Sequence, residues 1–281
     1  MPELPEVETI RNYLRLGVNG QPPILGLEIQ NAWLYWERTL ATPTAAEFFT
    51  KLPGQHIWDI QRRGKFLIIR MQDGALLVHL RMSGDLVARR AGPGETPDKH
   101  CRARLGLVNA AGEQFWLDFN DARKFGRLWL VDDPARVIGN LGPEPLSEEF
   151  TSRVLLAGLR TKKRALKPLL LDQTFIAGLG NIYTDEALHM ARLHPLTPAN
   201  TLSADQARVL WESIRLVLAQ GIQQHGSSID WVYRGGDFQN HFRVYQRTGR
   251  HCPVCGTPIQ RMVIGQRGTH FCPTCQVYQG A

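Results

Sequence analysis

The first residues of the chain, MPELPEVETI, place a proline at position 2 and a glutamate directly after it. Once the initiator methionine is removed, Pro2 carries a free secondary amine. An α-amino group has a pKa of about 8, against about 10.4 for lysine, so far more of it is uncharged near neutral pH. Uncharged amines attack carbonyl-like carbons to form Schiff bases, and a secondary amine gives an iminium that promotes elimination. Pro2 is therefore a candidate nucleophile, with Glu3 as a neighbouring acid or base.

An ordinary helix start explains part of the same stretch. Pro5 suits a first helical turn because its missing N–H would have no partner there. Glu6 complements the positive end of the helix dipole, and apolar residues follow at helical spacing. This interpretation accounts for the residues from Pro5 onward but gives no role to Pro2 and Glu3. Residue types alone leave both interpretations open.

The second candidate site is formed by cysteines near the C-terminus. They occur as two Cys-x-x-Cys pairs, HCPVC and FCPTC, separated by residues 256–271. This spacing is typical of a structural zinc site, since each tight turn supplies two thiolates and two turns complete a tetrahedron. With sulfur at every position, the predicted Zn²⁺ is structural and not catalytic. The alternative is disulfides, which a cytoplasmic protein disfavours. The predicted ligands are Cys252, Cys255, Cys272 and Cys275.

Charge and composition restrict the function further. The chain has 281 residues, 43% of them hydrophobic, with 33 basic and 26 acidic residues and a net charge of +7. From residue 239 onward it contains arginines but neither Asp nor Glu, a distribution that favours phosphate contacts. No apolar run has transmembrane length, and the acidic start does not resemble a signal peptide. We therefore expect a cytoplasmic protein with a polyanionic partner and no membrane association.

Two patterns of secondary structure would have to position these residues. Residues 24–131 are mostly strand-like: FLIIRM and ALLVHLRM flank a turn at 72–74, which predicts a hairpin, and the stretch 89–99 predicts an exposed loop. Several antiparallel strands with few helices between them favour a β-sandwich. From residue 147 the pattern is helical, with a capping box at Ser203 and Gln206. The irregular residues 221–240 predict a long functional loop.

Three motifs, PELPEVETI, GLGNIYTDEAL and QRGTHFCPTCQ, together resemble the formamidopyrimidine-DNA glycosylase family, and the resemblance extends over essentially the whole chain. It implies an α+β multidomain fold. The expected parts are an N-terminal catalytic β-sandwich domain with flanking helices (1–143), a helix–two-turns–helix DNA-binding domain with a lesion-recognition loop (144–240), and a C-terminal zinc-finger β-hairpin (241–281).

The resemblance also implies an activity, that of a bifunctional DNA glycosylase and AP lyase of base excision repair. Such an enzyme removes oxidised purines through a Schiff base on the N-terminal proline, followed by β- and δ-elimination. Pro2 matches the nucleophile, Glu3 the general acid/base and Glu6 a supporting glutamate. Lys65, in RRGKFL, matches a strand lysine near the phosphate of the lesion. Arg267, counted among the catalytic residues, matches the zinc-hairpin arginine that grips the flanking phosphates.

The remaining implied residues bind DNA. A base must be flipped out of the duplex before it can react, and side chains must fill the space that it leaves. The matching void-filling residues are Met82, Arg123 and Phe125. The matching phosphate contacts are His100, Lys167 and Asn181, and Ser227 and Ser228 lie where the family reads the oxidised base. This chain departs from the family pattern with HLRMSG in place of HLGMSG, with Ala122 where proline is common, and with Arg102 in place of a second histidine.

The predicted partner is damaged double-stranded DNA, bound by a monomer at the nucleoid, with one structural Zn²⁺. Three other functions agree with parts of the sequence. A non-catalytic zinc-finger DNA-binding protein would leave Pro2, Glu3 and Lys65 without a role. An endonuclease VIII-like glycosylase for oxidised pyrimidines typically begins PEGPE, whereas this chain begins PELPE. A zinc-ribbon RNA binder has no further support, because the sequence contains no RNA-binding module.

Overall fold

The computed structural model describes residues 1–18, 20–228 and 235–278. The chain divides into two compact units, which are described separately. The first comprises residues 1–140 together with Ser228, Gly235 and Gly236, and the second comprises residues 141–227 and the chain from Asp237 onward. The predicted α+β fold class is confirmed. The three-domain boundaries drawn from the sequence stay a prediction.

The elements are numbered in chain order. The helices are α1 (Leu4–Leu16), α2 (Ala45–Lys51), α3 (Ala135–Ile138), α4 (Ser152–Arg160), α5 (Leu166–Leu170), α6 (Asn181–Met190) and α7 (Ala204–Gln223). The strands are β1 (Glu28–Leu34), β2 (Leu40–Thr42), β3 (Ile57–Arg63), β4 (Phe66–Met71), β5 (Ala75–His79), β6 (Gly84–Arg90), β7 (Cys101–Val108), β8 (Gln114–Asp121), β9 (Arg127–Val131), β10 (Gln260–Ile264) and β11 (Arg267–Phe271). Short 3₁₀ turns lie at Glu37–Thr39, Ala199–Thr201 and Phe238–His241.

The first unit is a β-sandwich, as the sequence predicts. One sheet has the strand order β2-β9-β5-β4-β3 and the other the order β1-β7-β8-β6. Alternating side chains of each strand point into the shared core, as Phe115, Leu117 and Phe119 of β8 illustrate. Helix α1 adds Val7 and Leu14 to the same core. The helix that begins two residues after the candidate nucleophile is thus packed against the sandwich.

The predicted hairpin is confirmed, with one correction. Strands β4 and β5 pair antiparallel across the turn at 72–74. The sequence stretch ALLVHLRM reads as one strand, but β5 ends at His79 and residues 80–83 form a loop before β6. Arg81, the second residue of this loop, has a φ of 55°, which lies outside the extended region. Met82 therefore lies in a loop between two strands.

The second unit joins helices α4 to α7 to the hairpin β10–β11. Helices α6 and α7 pack closely at Gly221, where a Cβ would lie 2.5 Å from the ring of Tyr183. The predicted capping box of α7 is confirmed by bonds between Ser203 and Gln206 of 2.9 and 3.1 Å. The predicted loop 221–240 is partly wrong, because α7 continues to Gln223 and Phe238–His241 form a 3₁₀ turn. Its central residues, 229–234, lie outside the described residues.

Among the helices that the structure describes, none combines the length and the apolar character needed to cross a bilayer.

Candidate active site and nucleic-acid interface

The start of the chain is held in place by its own first helical turn. Pro2 is buried and Glu3 is the N-cap of α1, in an extended conformation. The Glu3 N–H donates to Oε2 of Glu6 at 2.8 Å, and both glutamate side chains are only 2% exposed. Chain termini are usually poorly ordered, so this degree of burial is unusual. A positive charge is disfavoured at a helix N-terminus, which suits an amine that must be neutral to react.

The turn that contains Lys65 is connected to helix α1 through Arg62. Residues 64 and 65 form the turn between β3 and β4, so Lys65 is a turn residue and not the strand residue of the family pattern. The Nε of Arg62 lies 2.6 Å from Oε2 of Glu8 on α1, and its Nη1 donates to the carbonyl of Gly64 at 3.1 Å. Lys65 is only 6% exposed, which is rare for a lysine in a hairpin turn. Arg62 thus fixes the turn against the helix that carries Glu3.

A histidine that the sequence analysis did not single out lies beside Lys65. Burial is the largest cause that lowers the pKa of His79 to about 3, and the positive charges of Arg81 and Lys65 add to it. Its Nδ1 accepts the N–H of Arg81 at 3.0 Å, and its ring packs edge-on against Phe66. The ring is therefore neutral and adds no further charge near Lys65. Its position in HLRMSG, at the end of β5 and three residues before Met82, is the signal that could have found it.

The three void-filling candidates occupy two loops of the sandwich unit. Met82, which is half-buried, lies in the loop 80–83, while Arg123 and Phe125 lie in the loop 122–126. The Phe125 side chain is 50% exposed, and the guanidinium of Arg123 lies 5.3 Å from the centre of its ring. Phe125 is therefore exposed and is not a core residue, which agrees with the predicted wedge, and insertion into DNA stays a prediction.

His100 belongs to the same unit, at the start of β7. It is half-buried, and Nη2 of Arg102 lies 3.4 Å from its Nδ1. Nε of Arg102 donates to the carbonyl of Asp121 at 2.7 Å. Arg102, which replaces the second histidine of the family pattern, therefore connects His100 to the backbone of Asp121.

In the second unit, the glycine-rich turn leads directly into α6. Gly178 has a φ of 90°, and its N–H donates to the side chain of Gln173 at 3.0 Å. The same Gln173 side chain donates to the carbonyl of Leu179 at 2.8 Å, so it clamps both sides of the turn. Asn181 is the first residue of α6, and its Nδ2 donates to the carbonyl of Gly268 on the zinc hairpin at 2.9 Å. A helix start of this kind is a natural phosphate site.

Lys167 is not at the surface. Its side chain is 0% exposed, and its Nζ lies 2.5 Å from Oδ1 of Asp185 and 3.1 Å from the carbonyl of Gly268. A buried carboxylate such as Asp185 requires a charged partner, and Lys167 supplies it. A phosphate contact by Lys167 stays a prediction, while its ammonium here holds the zinc hairpin against α6.

Two acidic residues of α6, which the sequence analysis did not identify, hold the chain around the zinc hairpin. Oδ2 of Asp185 accepts the N–H of His270 at 2.9 Å. Glu186 accepts three backbone N–H groups at 2.8 to 3.0 Å, from Arg243, Val244 and Tyr245. Burial raises the pKa of Glu186, and these three bonds oppose the shift. The adjacent acids in the motif TDEAL are the sequence signal for this role.

The four cysteines come together as predicted. Their sulfur atoms all lie within 4.8 Å of one another, with 3.9 Å between Cys252 and Cys275 and 3.4 Å between Cys255 and Cys272. A tetrahedral zinc with Zn–S bonds of about 2.3 Å requires sulfur separations of about 3.8 Å, so the cluster fits one Zn²⁺. Nε2 of His189 on α6 lies 3.3 Å from the sulfur of Cys252, the kind of outer contact that orients a metal ligand. The zinc is structural.

Arg267 lies at the tip of this hairpin. It is exposed and pairs with Ile264 across the two-residue turn between β10 and β11. Next to it, a Cβ on Gly268 would lie 3.0 Å from Nη2 of Arg261, so the second arginine lies close against the backbone of the hairpin. The tip is therefore strongly cationic.

The two serines predicted to read the oxidised base are buried or already hydrogen-bonded within the protein. Ser227 is 6% exposed. The hydroxyl of Ser228 accepts the N–H groups of Gly235 and Gly236 at 3.1 and 2.9 Å and donates to the carbonyl of Gly236. Base reading by either serine stays a prediction.

Comparison with known proteins gives a consistent result along the chain. The N-terminal domain of formamidopyrimidine-DNA glycosylase matches residues 1–128, its H2TH domain matches residues 141–232, and the zinc finger found in FPG and IleRS matches residues 251–277. The formamidopyrimidine-DNA glycosylase of Protochlamydia amoebophila is 41% identical over 98% of this chain and 99% of its own length.

Solved structures agree. A MutM in complex with DNA containing carbocyclic 8-oxo-G superposes with a TM-score of 0.87 at 36% identity, over 99% of this chain and 100% of that one. The G226P mutant of Lactococcus lactis FPG, bound to DNA that contains Fapy-dG, gives a TM-score of 0.88 at 36% identity over the same shares of the two chains. The chain therefore belongs to the formamidopyrimidine-DNA glycosylase family.

Proposed function

We propose that this chain is a bifunctional DNA glycosylase and AP lyase that removes oxidised purines, 8-oxoguanine and formamidopyrimidines among them, from double-stranded DNA. The observation that carries the proposal is the ordered start of the chain. Pro2 precedes a helix N-terminus at which Glu3 and Glu6 are both buried, and the turn of Lys65 is tied to the same helix. A protein that only bound DNA would have no use for this arrangement.

The first chemical step is displacement of the damaged base. After removal of Met1, the neutral nitrogen of Pro2 attacks C1′ of the flipped nucleotide. A C–N bond forms while the bond from C1′ to the base breaks, and the base leaves with the electron pair of that bond. In this proposal Glu3, the N-cap of α1, donates and accepts the protons that these changes require. Opening of the sugar ring then gives an iminium between Pro2 and C1′.

The iminium drives cleavage of the strand. It acidifies the C2′–H bond, whose proton is lost as the 3′ phosphate departs, and a second elimination expels the 5′ phosphate. Water finally hydrolyses the iminium and frees Pro2. Lys65, buried beside a neutral His79, supplies a positive charge that favours the neutral Pro2 amine and binds a phosphate of the lesion.

DNA binding divides between the two units. We assign void filling to Met82, Arg123 and Phe125, and phosphate contacts to His100, Asn181 and Arg267. The exposed Phe125 and the cationic hairpin tip support these roles. Because one flipped nucleotide needs one active site, we further propose that the enzyme acts as a monomer, in the cytoplasm at the nucleoid and without membrane association.

Borohydride trapping tests the proposal. The wild-type enzyme should form a reducible covalent adduct with DNA that contains 8-oxoguanine, while Pro2→Gly, or a peptide fused directly ahead of Pro2, should form none and still bind the duplex. Pro53→Gly, at an exposed turn, is the matched control and should trap normally. Full excision by an enzyme with a blocked terminus contradicts the proposal, and preference for oxidised pyrimidines in a lesion panel favours the endonuclease VIII-like alternative.

A further inference from the structure

The two void-filling loops share a backbone peculiarity. Arg81, which precedes Met82, has a φ of 55°, and Lys124, between Arg123 and Phe125, has a φ of 60°. Both are non-glycine residues in the left-handed region, where a side chain crowds the backbone. A loop keeps such a conformation when surrounding contacts enforce it. Each void-filling side chain therefore lies next to a strained residue that something must hold.

A buried carboxylate holds the second loop. Asp121 is 1% exposed, and its Oδ2 accepts the N–H of Gly126 at 2.6 Å while its Oδ1 accepts the N–H of Arg123 at 3.1 Å. The N–H of Lys124 lies 3.4 Å from the Asp121 carbonyl. One aspartate thus binds both ends of the loop that carries Arg123 and Phe125.

The same carboxylate reaches the first loop. The hydroxyl of Ser83, the residue after Met82, donates to Oδ1 of Asp121 and accepts the N–H of Arg123 at 3.2 Å. Ser83 is 3% exposed, so water does not compete for these bonds. The Met82 loop and the Arg123–Phe125 loop are therefore joined by a pair of side chains, Ser83 and Asp121, that themselves fill no void.

Two glycines show that this junction is tightly packed. A Cβ on Gly84 would lie 2.4 Å from the carbonyl oxygen of Leu80, and a Cβ on Gly126 would lie 2.3 Å from the ring of Phe119. Gly84 also pairs with Asp121 across strands β6 and β8. The loops have little room to move independently at the junction.

We propose that Ser83 and Asp121 are positioning residues that couple the two loops, so that Met82, Arg123 and Phe125 enter the DNA as one unit. The identity of these three as the void-filling side chains rests on the proposed function; the coupling rests on the hydrogen bonds. Arg102 extends the coupling to His100, because its Nε donates to the Asp121 carbonyl and its Nη2 lies 3.4 Å from the His100 ring. Loss of the Ser83 hydroxyl should uncouple the loops without removing any group that contacts DNA.

A double-mutant cycle measures the coupling. The dissociation constant for a duplex that contains a tetrahydrofuran abasic analogue is determined for wild type, Met82→Ala, Phe125→Ala and the double variant. The same set is repeated with Ser83→Ala in the background. With Ser83 present, the effects of the two truncations should differ from independence by at least about threefold. In the Ser83→Ala background the fold-change of the double variant should equal the product of the fold-changes of the two single truncations. Ser83→Thr, which keeps the hydroxyl, should restore the coupling.

Ser213→Ala, which removes another buried serine hydroxyl on α7, is the matched control and should leave the coupling intact. Equal coupling with and without the Ser83 hydroxyl overturns the inference, as does loss of coupling in Ser213→Ala or its absence from the wild-type cycle. These outcomes are separable from the proposed function, because binding to the abasic analogue involves no excision. Coupled loops in a protein that releases no oxidised base would refute the proposed function alone.

Discussion

The two loops that carry the void-filling candidates and the zinc hairpin all expose side chains, but they are held in different ways. The loops 80–83 and 122–126 extend from strands of a β-sandwich whose core is large, and one buried carboxylate, Asp121, fixes them through hydroxyl and amide donors. The hairpin β10–β11 buries Ile264, Thr269 and Phe271, and a small cluster next to it consists of Val244, Cys252, Ile259 and Cys272. A two-stranded hairpin is only marginally stable by itself.

The hairpin compensates with metal and charge. The four thiolates supply a zinc site, and the buried Lys167–Asp185 pair and Glu186 attach the surrounding chain to α6. A loop that extends from a folded sheet needs only hydrogen bonds to fix its shape. A two-stranded hairpin needs stronger attachments than these, so the consequences of removing the attachments should differ between the two regions.

The largest effect should follow loss of the metal. Structural zinc contributes on the order of 10 kcal/mol to the folding of small zinc sites, so Cys272→Ser should release zinc and disorder the hairpin that carries Arg267. DNA affinity should fall at least about 100-fold, while the sandwich unit keeps its unfolding transition. Metal analysis, calorimetry and binding measurements check this.

Cys101→Ser is the control for the zinc experiment, because Cys101 is a buried cysteine of the sandwich that lies outside the metal cluster. This variant should retain one zinc per chain. A Cys272→Ser protein that keeps its zinc, or binds DNA normally, contradicts the comparison.

The next effect concerns the buried ion pair. Lys167→Met leaves Asp185 buried without its charged partner, and we expect a loss of about 3–5 kcal/mol in the free energy of unfolding of the second unit. Lys163→Met, at an exposed lysine, should change it by less than about 0.5 kcal/mol. If Lys167 instead contacted a phosphate, its loss would lower the salt slope of DNA binding by about one and leave unfolding unchanged.

Salt dependence separates the two DNA-facing elements directly. Arg267→Ala should reduce the slope of log affinity against log salt by about 0.9, because one phosphate contact is lost. Phe125→Ala should weaken binding to abasic-site DNA by about 1–2 kcal/mol with an unchanged slope, since base stacking involves no released counterion.

Phe49→Ala, at another exposed phenylalanine on α2, is the control and should change neither quantity.

Loss of Arg123 should erode the preference for cytosine opposite the lesion, measured by single-turnover excision opposite each of the four bases. Indistinguishable salt slopes for Phe125→Ala and Arg267→Ala would mean that the proposed division of labour is wrong.

The smallest effect tests the strain in the first loop. Arg81 adopts a left-handed conformation at the position where the family pattern has glycine. Arg81→Gly should raise the free energy of unfolding by at most about 1 kcal/mol, because glycine relieves the crowding but gains freedom in the unfolded chain. Arg90→Gly, in the extended conformation at the end of β6, should lower it. Urea unfolding decides between the two signs, and an equal loss in both variants argues against strain at Arg81.

The sequence predicts the parts of this molecule that are encoded locally. The zinc ligands follow from two Cys-x-x-Cys pairs, the β4–β5 hairpin follows from two apolar runs around a turn, and the cap of α7 follows from Ser203 and Gln206. Each involves residues close together in the chain, so spacing alone carries the information.

Tertiary partners were not predictable in the same way. Lys167 is separated from Asp185 by the glycine-rich turn and from Gly268 by about a third of the chain, so nothing in its neighbourhood shows that it is buried. The arginine at position 81 does not itself indicate a left-handed φ, and the glycine of the family pattern at this position was the signal for it. In the sequence, Asp121 is an ordinary aspartate at a strand end, and only the structure shows its hydrogen bond with the Ser83 hydroxyl.

The contacts of helix α6 limit how a zinc finger can be exchanged between two members of this family. Asp185 contacts β11, Glu186 binds the segment 243–245, and His189 contacts a zinc-ligating cysteine. Just beyond the helix, the carbonyl of Leu193 accepts a hydrogen bond from the side chain of Gln276. A zinc finger transplanted without this helix would lose its supports, and Glu186 on the helix would lose the three backbone N–H groups that it accepts. Because Lys167 on α5 pairs with Asp185 and also donates to the carbonyl of Gly268, a chimaera should be joined ahead of α5 and not ahead of the first cysteine.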